Sequence, residues 1–141
     1  MAINASKVVI GGLAAGVVGN IIGFVGFGML LGPRFEAEAV AVAPALAGRG
    51  ASGAAIATNV IGQFVIGLLL TWLYAAMHPR FGPGMTTAAL AAMVVWICGL
   101  LFHIDWLLVG MMSVATYLMA STVALISTLA VAAVGGKLYS E

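Results

Sequence analysis

Long apolar runs, rather than an alternation of apolar and polar positions, dominate the chain. A helix needs about 20 apolar residues to cross a hydrocarbon core of about 30 Å. Three runs meet or approach that length, and a fourth, from residue 106 onward, exceeds one crossing, so we expect a turn or an interfacial stretch before its helix. The pattern predicts four spans, at about residues 8–31, 54–77, 87–104 and 112–134, with an outer loop at residues 32–53.

The composition identifies lipid as the solvent of this pattern. Of 141 residues, 64% are hydrophobic and 6% are charged, and the mean hydropathy is +1.22. A water-soluble domain carries about a quarter of its residues as charged side chains. We therefore predict an all-α fold, an integral membrane four-helix bundle in a single domain. The net charge of +1 excludes an electrostatic nucleic-acid binder, which needs a basic face.

Charges in the short loops predict the orientation. With four spans, both termini and the second loop share one side of the membrane, which carries Lys7, Arg80 and Lys137. The opposite side carries Arg34 and Arg49, together with three acidic residues. Because lysine and arginine near span ends favour the cytoplasm whereas acidic residues count little, we expect both termini in the cytoplasm.

The segment WLYAAMHPRFGPG, at residues 72–84, predicts a membrane exit followed by a tight turn. Pro79 and Pro83 are expected to stop the helix, and two glycines permit the backbone to reverse. Arg80 then acts as an anchor that reaches the headgroups. We interpret the neighbouring His78 as part of a solvated turn rather than of an anion site.

Three stretches carry a resemblance to known proteins. They are IGGLAAGVVGN at residues 10–20, the segment at residues 72–84 with the Thr-Thr-Ala that follows it closely, and GGKLYSE at residues 135–141. In this order they resemble a group of small bacterial four-span inner-membrane proteins of unknown function. The resemblance implies a bacterial inner (cytoplasmic) membrane and a four-helix architecture, and it implies no activity, substrate or cofactor.

Small residues at helical spacing form a stripe on the first span. Intervals of four and three residues place them on one face, where two backbones approach closely and associate by van der Waals contact. We expect this face to pack within the bundle, against small and hydroxylated residues of the fourth span, or to serve self-association. The glycines are Gly12, Gly16, Gly19, Gly23 and Gly26, and the fourth-span residues are Ser113, Thr116, Ala120, Ala124 and Ser127.

Three amides lie within the predicted spans. Asn20 sits midway along the first span, and Asn59 and Gln63 stand one turn apart on the second. An unpaired amide in hydrocarbon costs several kcal/mol, roughly, so these side chains must face protein or water. We expect them to join helices, and the alternative is that they line a polar passage.

Candidate ligands and catalytic groups are sparse. His103 and Asp105 are two residues apart, which on a helix points them in different directions, and His78 and His103 belong to opposite membrane surfaces. A cofactor at His103 would therefore require a second subunit, and an interfacial histidine is the simpler interpretation. Cys98 lies in an apolar run and is expected to pack in the interior. We predict no catalytic residue, no metal site and no cofactor.

Two functional classes fit these features. The first is a non-enzymatic structural or accessory membrane protein that acts through helix packing, in the lipid bilayer, as a homo-oligomer or with other membrane subunits. The second is a minimal channel or transporter for a small neutral solute. The outer loop has its own pattern, because residues 35–42 suit a short helix that Pro44 closes. That helix would lie on the membrane surface, contact a partner or simply connect two spans.

Overall fold

A computed structural model of the chain describes residues 3–140, without the side chain of Ser140. Four helices in this range are long and apolar enough to cross a membrane. The elements run in the order α1 (Ala5–Gly23), a π-helical segment (Phe24–Leu30), α2 (Gly32–Val42), two 3₁₀ turns (Pro44–Leu46 and Arg49–Ala51), α3 (Gly53–Phe81), α4 (Met85–Leu108) and α5 (Val114–Ser140). No strand occurs among these residues, and the predicted all-α four-helix bundle is confirmed. Glu141, the last residue of the C-terminal motif, lies outside the described range.

The helix α3 passes through Pro79, where the sequence predicted its end. A proline removes one N–H from the helical ladder and strains the turn before it. Pro79 stands in the last turn of α3, and only Arg80 and Phe81 follow it in the helix. The helix ends where the Gly82 N–H donates to the His78 carbonyl oxygen at 2.9 Å and Gly82 takes a φ of 80°. The prediction that Pro79 stops the helix was wrong, and the reversal begins at Gly82.

Hydrogen bonds from both flanking helices hold the turn at residues 82–84. The Tyr74 hydroxyl oxygen of α3 accepts from the Gly84 N–H at 3.0 Å. From α4, the Thr87 hydroxyl donates to the Gly82 carbonyl oxygen at 2.8 Å. Gly84 has a φ of 126°, a conformation that only glycine adopts readily. The segment is therefore a fixed turn and not a loose hinge.

The turn lies at the same end of the bundle as both ends of the described chain. Tyr139 of α5 packs edge-on against Tyr74, with ring centroids 6.2 Å apart. Its hydroxyl oxygen accepts from the Asn4 N–H at 3.3 Å. We call this end the terminal end, and the opposite end, which carries α2, the α2 end.

The connection between α4 and α5 is shorter than the sequence predicted. We expected a turn or an interfacial stretch from residue 106, but the helix α4 continues, and the Val109 N–H still donates to the Asp105 carbonyl oxygen at 2.8 Å. The reversal then occurs at residues 109–113, where Gly110 has a φ of 78°. Ser113 caps α5, since its hydroxyl oxygen accepts from the Thr116 N–H at 3.2 Å.

The core lies in the half of the bundle nearest the terminal end. The helix α1 packs along α3 and α5, while α4 packs on α5 and less extensively on α3. Within the described chain, burial on α3 begins at Gly67, and burial on α4 ends at Ala92. The expectation that Cys98 packs in the interior was wrong, because it lies beyond this point and is exposed. The core residues are Ala15, Leu70, Tyr74, Ala88, Ala91, Ala92, Val131 and Ala132.

Candidate functional site

The closest helix contact is the crossing of α1 over α3. Gly12 and Gly16 lie directly on α3, where a β-carbon at Gly12 would stand 2.7 Å from the Leu68 Cα and one at Gly16 would stand 2.8 Å from the Phe64 Cα. Real β-carbons do not approach backbone atoms so closely, so neither position has room for a side chain. The predicted stripe is therefore in backbone contact with the second span.

Gly67 is the α3 side of this crossing, and sequence reasoning missed it. A β-carbon there would meet the Gly12 carbonyl oxygen and would stand 2.6 Å from the Gly16 nitrogen. A signal was present, because Gly67, Thr71 and Ala75 recur every four residues and are all buried. That spacing marks a second small-residue face. We call Gly12, Gly16 and Gly67 the glycine crossing.

The remaining glycines of the stripe meet side chains rather than backbone. A β-carbon at Gly19 would stand 2.7 Å from the Gln63 Oε1, and one at Gly23 would stand 3.4 Å from the Gln63 Nε2. At Gly26 the neighbour is Val123 of α5. The stripe thus packs within the bundle, mainly on α3 and in part on α5.

The fourth span lies against α1 along part of its length. Val123 and Val131 lie near stripe glycines, and the Gly135 carbonyl oxygen would stand 3.0 Å from a β-carbon at Gly11. From the predicted set, Thr116 and Ser127 are buried. Thr116, however, bonds to α2 and not to α1. Ser127 lies one helical turn from both Val123 and Val131, so it shares the face of α5 that meets α1.

The three amides have different roles. The Asn20 Nδ2 donates to the Gly16 carbonyl oxygen of its own helix at 3.0 Å and to the Val60 carbonyl oxygen of α3 at 3.2 Å, so it joins two helices. Gln63 lies over Gly19 and Gly23. The exposed Asn59 donates only within α3, to the Ala55 carbonyl oxygen at 2.9 Å. Two amides therefore sit at the contact of α1 with α3, and the third points away from it.

The two histidines lie at opposite ends of the molecule. His103 is exposed on α4, where its Nδ1 is 2.7 Å from the Gly99 carbonyl oxygen and its ring lies 6.2 Å from that of Trp106. His78 lies at the terminal end, where its ring contacts the rings of both Tyr74 and Tyr139 edge-on. Among residues 3–140, no three His, Cys, Asp or Glu side chains come close enough to hold a metal ion.

A second polar site ties the outer loop to α5, and the sequence did not indicate it. The Glu38 carboxylate of α2 accepts from the Ser113 hydroxyl at 2.6 Å, from the Thr116 hydroxyl at 2.7 Å and from the Ser113 N–H at 3.1 Å. These bonds, the Ser113 hydroxyl first, lower the pKa of the carboxyl despite its partial burial, and the charge of Arg34 adds to the effect. We call Glu38, Ser113 and Thr116 the α2–α5 clasp.

The loop before α3 is tied down in the same way. The Gly48 N–H donates to a carboxylate oxygen of Glu36 at 2.6 Å. The predicted helix over residues 35–42 is present as part of α2, which ends before Pro44. Both acidic residues of α2 therefore bond to the protein's own backbone and hydroxyl groups, and these bonds order the loop.

Comparisons of the chain with protein-family models, with curated proteins and with solved structures give no match.

Proposed function

We propose that the protein is a non-enzymatic structural or accessory membrane protein that acts through helix packing, as an oligomer or as a small subunit of a larger complex. The observation that carries this proposal is the use of the intramembrane amides. Asn20 bonds to two carbonyl oxygens, and Gln63 covers the glycines of α1. Polar groups at these positions stabilise helix contacts. Their positions are explained by contacts within the protein, without a bound substrate.

The lining of two surface cavities supports this role. A cavity of about 310 Å³ between the π-helical segment and α5 is lined by Ile21, Ile22, Val25, Gly26, Leu30, Val123 and Ile126. A second, of about 370 Å³, lies at the terminal end beside Tyr74 and Lys137. Neither contains Asn20, Asn59 or Gln63. A passage for a neutral solute would bring such amides to its wall.

The proposed location is a bacterial inner membrane, with both termini in the cytoplasm. Support for the location comes from the resemblance of the three sequence stretches, and support for the orientation comes from Lys7, Arg80 and Lys137. These three cations belong to the terminal end, whereas Arg34 and Arg49 belong to the α2 end. Under the positive-inside rule the side with more cations faces the cytoplasm.

Solute flux separates the two functional classes. We expect vesicles that contain the purified protein to be as permeable to glycerol and urea as empty vesicles, in a stopped-flow light-scattering assay. The double substitution Asn59→Leu with Gln63→Leu should leave that baseline unchanged and lower the thermal stability modestly. A wild-type flux above that of empty vesicles that the double substitution abolishes would instead establish the channel.

A further inference from the structure

The half of α3 nearest the α2 end has a face without a partner in the described chain. Asn59, Gly62 and Ile66 follow helical spacing, and the same face continues into the buried Leu70 of the core. Ile66 still packs against the core. Above it, Asn59 is exposed, and beyond the local helix no atom of the described chain lies within 4 Å of a β-carbon at Gly62. This face of α3 is therefore buried in the core near the terminal end and exposed near the α2 end.

The outer half of α4 repeats this arrangement. Ala91 is fully buried, whereas Cys98 and Phe102, seven and eleven residues later on the same face, are exposed, Phe102 to 79%. Beyond the local helix, no atom of residues 3–140 lies within 4 Å of a β-carbon at Gly99. On both helices the face that is buried in the core near the terminal end is exposed further along. We infer from this that α3 and α4 diverge toward the α2 end. We call the two open faces, of Asn59, Gly62, Cys98 and Phe102, the lateral opening.

Two hydrogen bonds keep α4 on α5, on the side away from the opening. The Trp96 Nε1 donates to the Ser121 carbonyl oxygen at 2.9 Å, and the Tyr117 hydroxyl donates to the Leu100 carbonyl oxygen at 3.0 Å. Likewise, Asn20 holds the outer half of α3 on α1. These contacts hold α3 on α1 and α4 on α5, one on each flank of the opening.

Lipid tails cover apolar side chains but cannot satisfy the polar group in this opening. Within the described chain, Asn59 has one hydrogen bond, to the Ala55 carbonyl oxygen, and nothing donates to its Oδ1. The amide lies about 9 Å inside the start of a membrane helix, at a rise of 1.5 Å per residue. A donor from another helix would satisfy this oxygen.

The two rims of the opening carry opposite charges. Arg49 lies just before α3, and Asp105 lies near the end of α4, both exposed at the α2 end. Asp105 accepts a hydrogen bond from the Trp106 N–H, and among residues 3–140 neither charged group has an ionic partner. If α3 of one molecule entered the opening of another, its Arg49 would approach the Asp105 of that molecule. By symmetry the same pair would form twice.

We propose that the lateral opening is a homodimer interface, in which α3 of a second copy of this chain packs between α3 and α4 of the first. The Asn59 amides pair across the two-fold axis, Gly62 permits the close approach, and the two Arg49–Asp105 pairs close the rim. The proposal rests on the proposed role in helix packing and names its partner. The partner in this interface must supply an amide opposite Asn59 and two opposite charges opposite Arg49 and Asp105, and a second copy of this chain supplies all three.

Disulfide cross-linking in native membranes tests the proximity of the two copies of α3. On a Cys98→Ala background, Asn59→Cys should form a disulfide-linked dimer on mild oxidation. The matched control is Ile61→Cys, at the same depth on the opposite, lipid-facing side of α3, and we expect it to remain monomeric. Equal cross-linking of the two variants, or none at Asn59→Cys, would overturn the proposal.

A charge reversal tests that the partner is the same chain. Native mass spectrometry of the protein in nanodiscs should show two copies, and Arg49→Asp or Asp105→Arg should each lower the dimer fraction. The double variant should restore it, because each copy then supplies both reversed charges. Asn59→Leu should weaken dimerisation about 3- to 30-fold, as expected for an interhelical amide pair.

The outcomes separate this proposal from the proposed function. A complex that holds one copy with a different membrane protein would refute the homodimer and leave the packing role intact. A solute flux that depends on the amides would refute the packing role and leave the dimer to be judged by its cross-link. Failure of the double charge variant to recover would reject the predicted pairing of Arg49 with Asp105 and, with it, this docking geometry.

Discussion

Single glycines decide how closely the helices approach, and they differ by what lies opposite them. At Gly67 the neighbours are backbone atoms of Gly12 and Gly16, which cannot move aside without shifting a helix. At Gly19 the neighbour is the end of the Gln63 side chain, which can rotate away. A β-carbon at Gly53 would meet no atom of the described chain within 4 Å beyond its own helical turn. A Gly→Ala substitution at each of these positions therefore measures how tightly the helices are packed there.

We predict that Gly67→Ala lowers the free energy of unfolding by about 1–3 kcal/mol, the usual cost of overpacking a tight contact. Gly19→Ala should cost less, and Gly53→Ala, the control on the same helix as Gly67, should leave stability unchanged. Thermal unfolding in a mild detergent, followed by circular dichroism, gives the order. If Gly53→Ala and Gly67→Ala melt together, α1 and α3 are not in backbone contact.

Residue-level spacing predicted one side of this contact and not the other. The glycine stripe of α1 is visible in sequence because its members recur every three or four residues. Gly67 belongs to a similar series on α3, but the sequence does not say which face of α3 meets which face of α1. That choice depends on the crossing of two helices 40 or more residues apart, and the crossing is a property of the packed bundle.

Among the elements, α2 shows how a loop is ordered by its acidic residues. The carboxylate of Glu38 completes the cap of α5, and its bonds reach residues 75 and 78 positions away. Local pattern predicted the helix and its end before Pro44. The α2–α5 clasp is invisible at that level, because no periodicity relates residues so distant in the chain. Pro79 is the opposite case, since a strong local signal was overridden close to the end of a long helix.

The clasp makes stability depend on acid. Because the pKa of Glu38 is lower in the folded protein than in the unfolded chain, its carboxylate stabilises the fold at neutral pH. That contribution is complete above the unfolded pKa of about 4.3. It is lost as the pH falls through the lower folded value. We predict that Glu38→Gln lowers stability at pH 7 by about 1 kcal/mol and lowers it less at pH 3.

Melting temperatures at pH 7 and pH 3 measure this dependence. The control is Glu36→Gln, which removes the same charge from α2 but leaves the bonds to Ser113 and Thr116 in place. It should change the pH dependence less than Glu38→Gln does. A Glu38→Gln variant whose melting temperature falls with acid as steeply as that of the wild type would show that Glu38 is not the titrating group.

At the scale of the molecule, the bundle is closed at the terminal end and open at the α2 end. Near the termini, Leu70, Tyr74, Ala88 and Ala91 form one core. Toward the α2 end the contacts leave α3 on α1 and α4 on α5, so the helices stand in the order α3, α1, α5, α4. Hydropathy alone predicted four spans, but it carries no information on this divergence, because lipid-facing and protein-facing positions are equally apolar.

We predict that the terminal end of this asymmetric bundle faces the cytoplasm, because it carries three cations and the α2 end carries two. Two exposed residues report on it without altering that count: Ala51 at the α2 end, and Pro83 in the turn at the terminal end. On a Cys98→Ala background, a membrane-impermeant maleimide should label Ala51→Cys in intact cells. Pro83→Cys should react only after the membrane is opened.

Reversed labelling would show that the α2 end faces the cytoplasm. The positive-inside bias would then have been outweighed by other features of the chain, since its margin here is a single charge. The position of the lateral opening would change with it, because Arg49 and Asp105 would move to the cytoplasmic rim. Labelling of both variants in intact cells, with a cytoplasmic thiol as the negative control, would contradict a single fixed orientation.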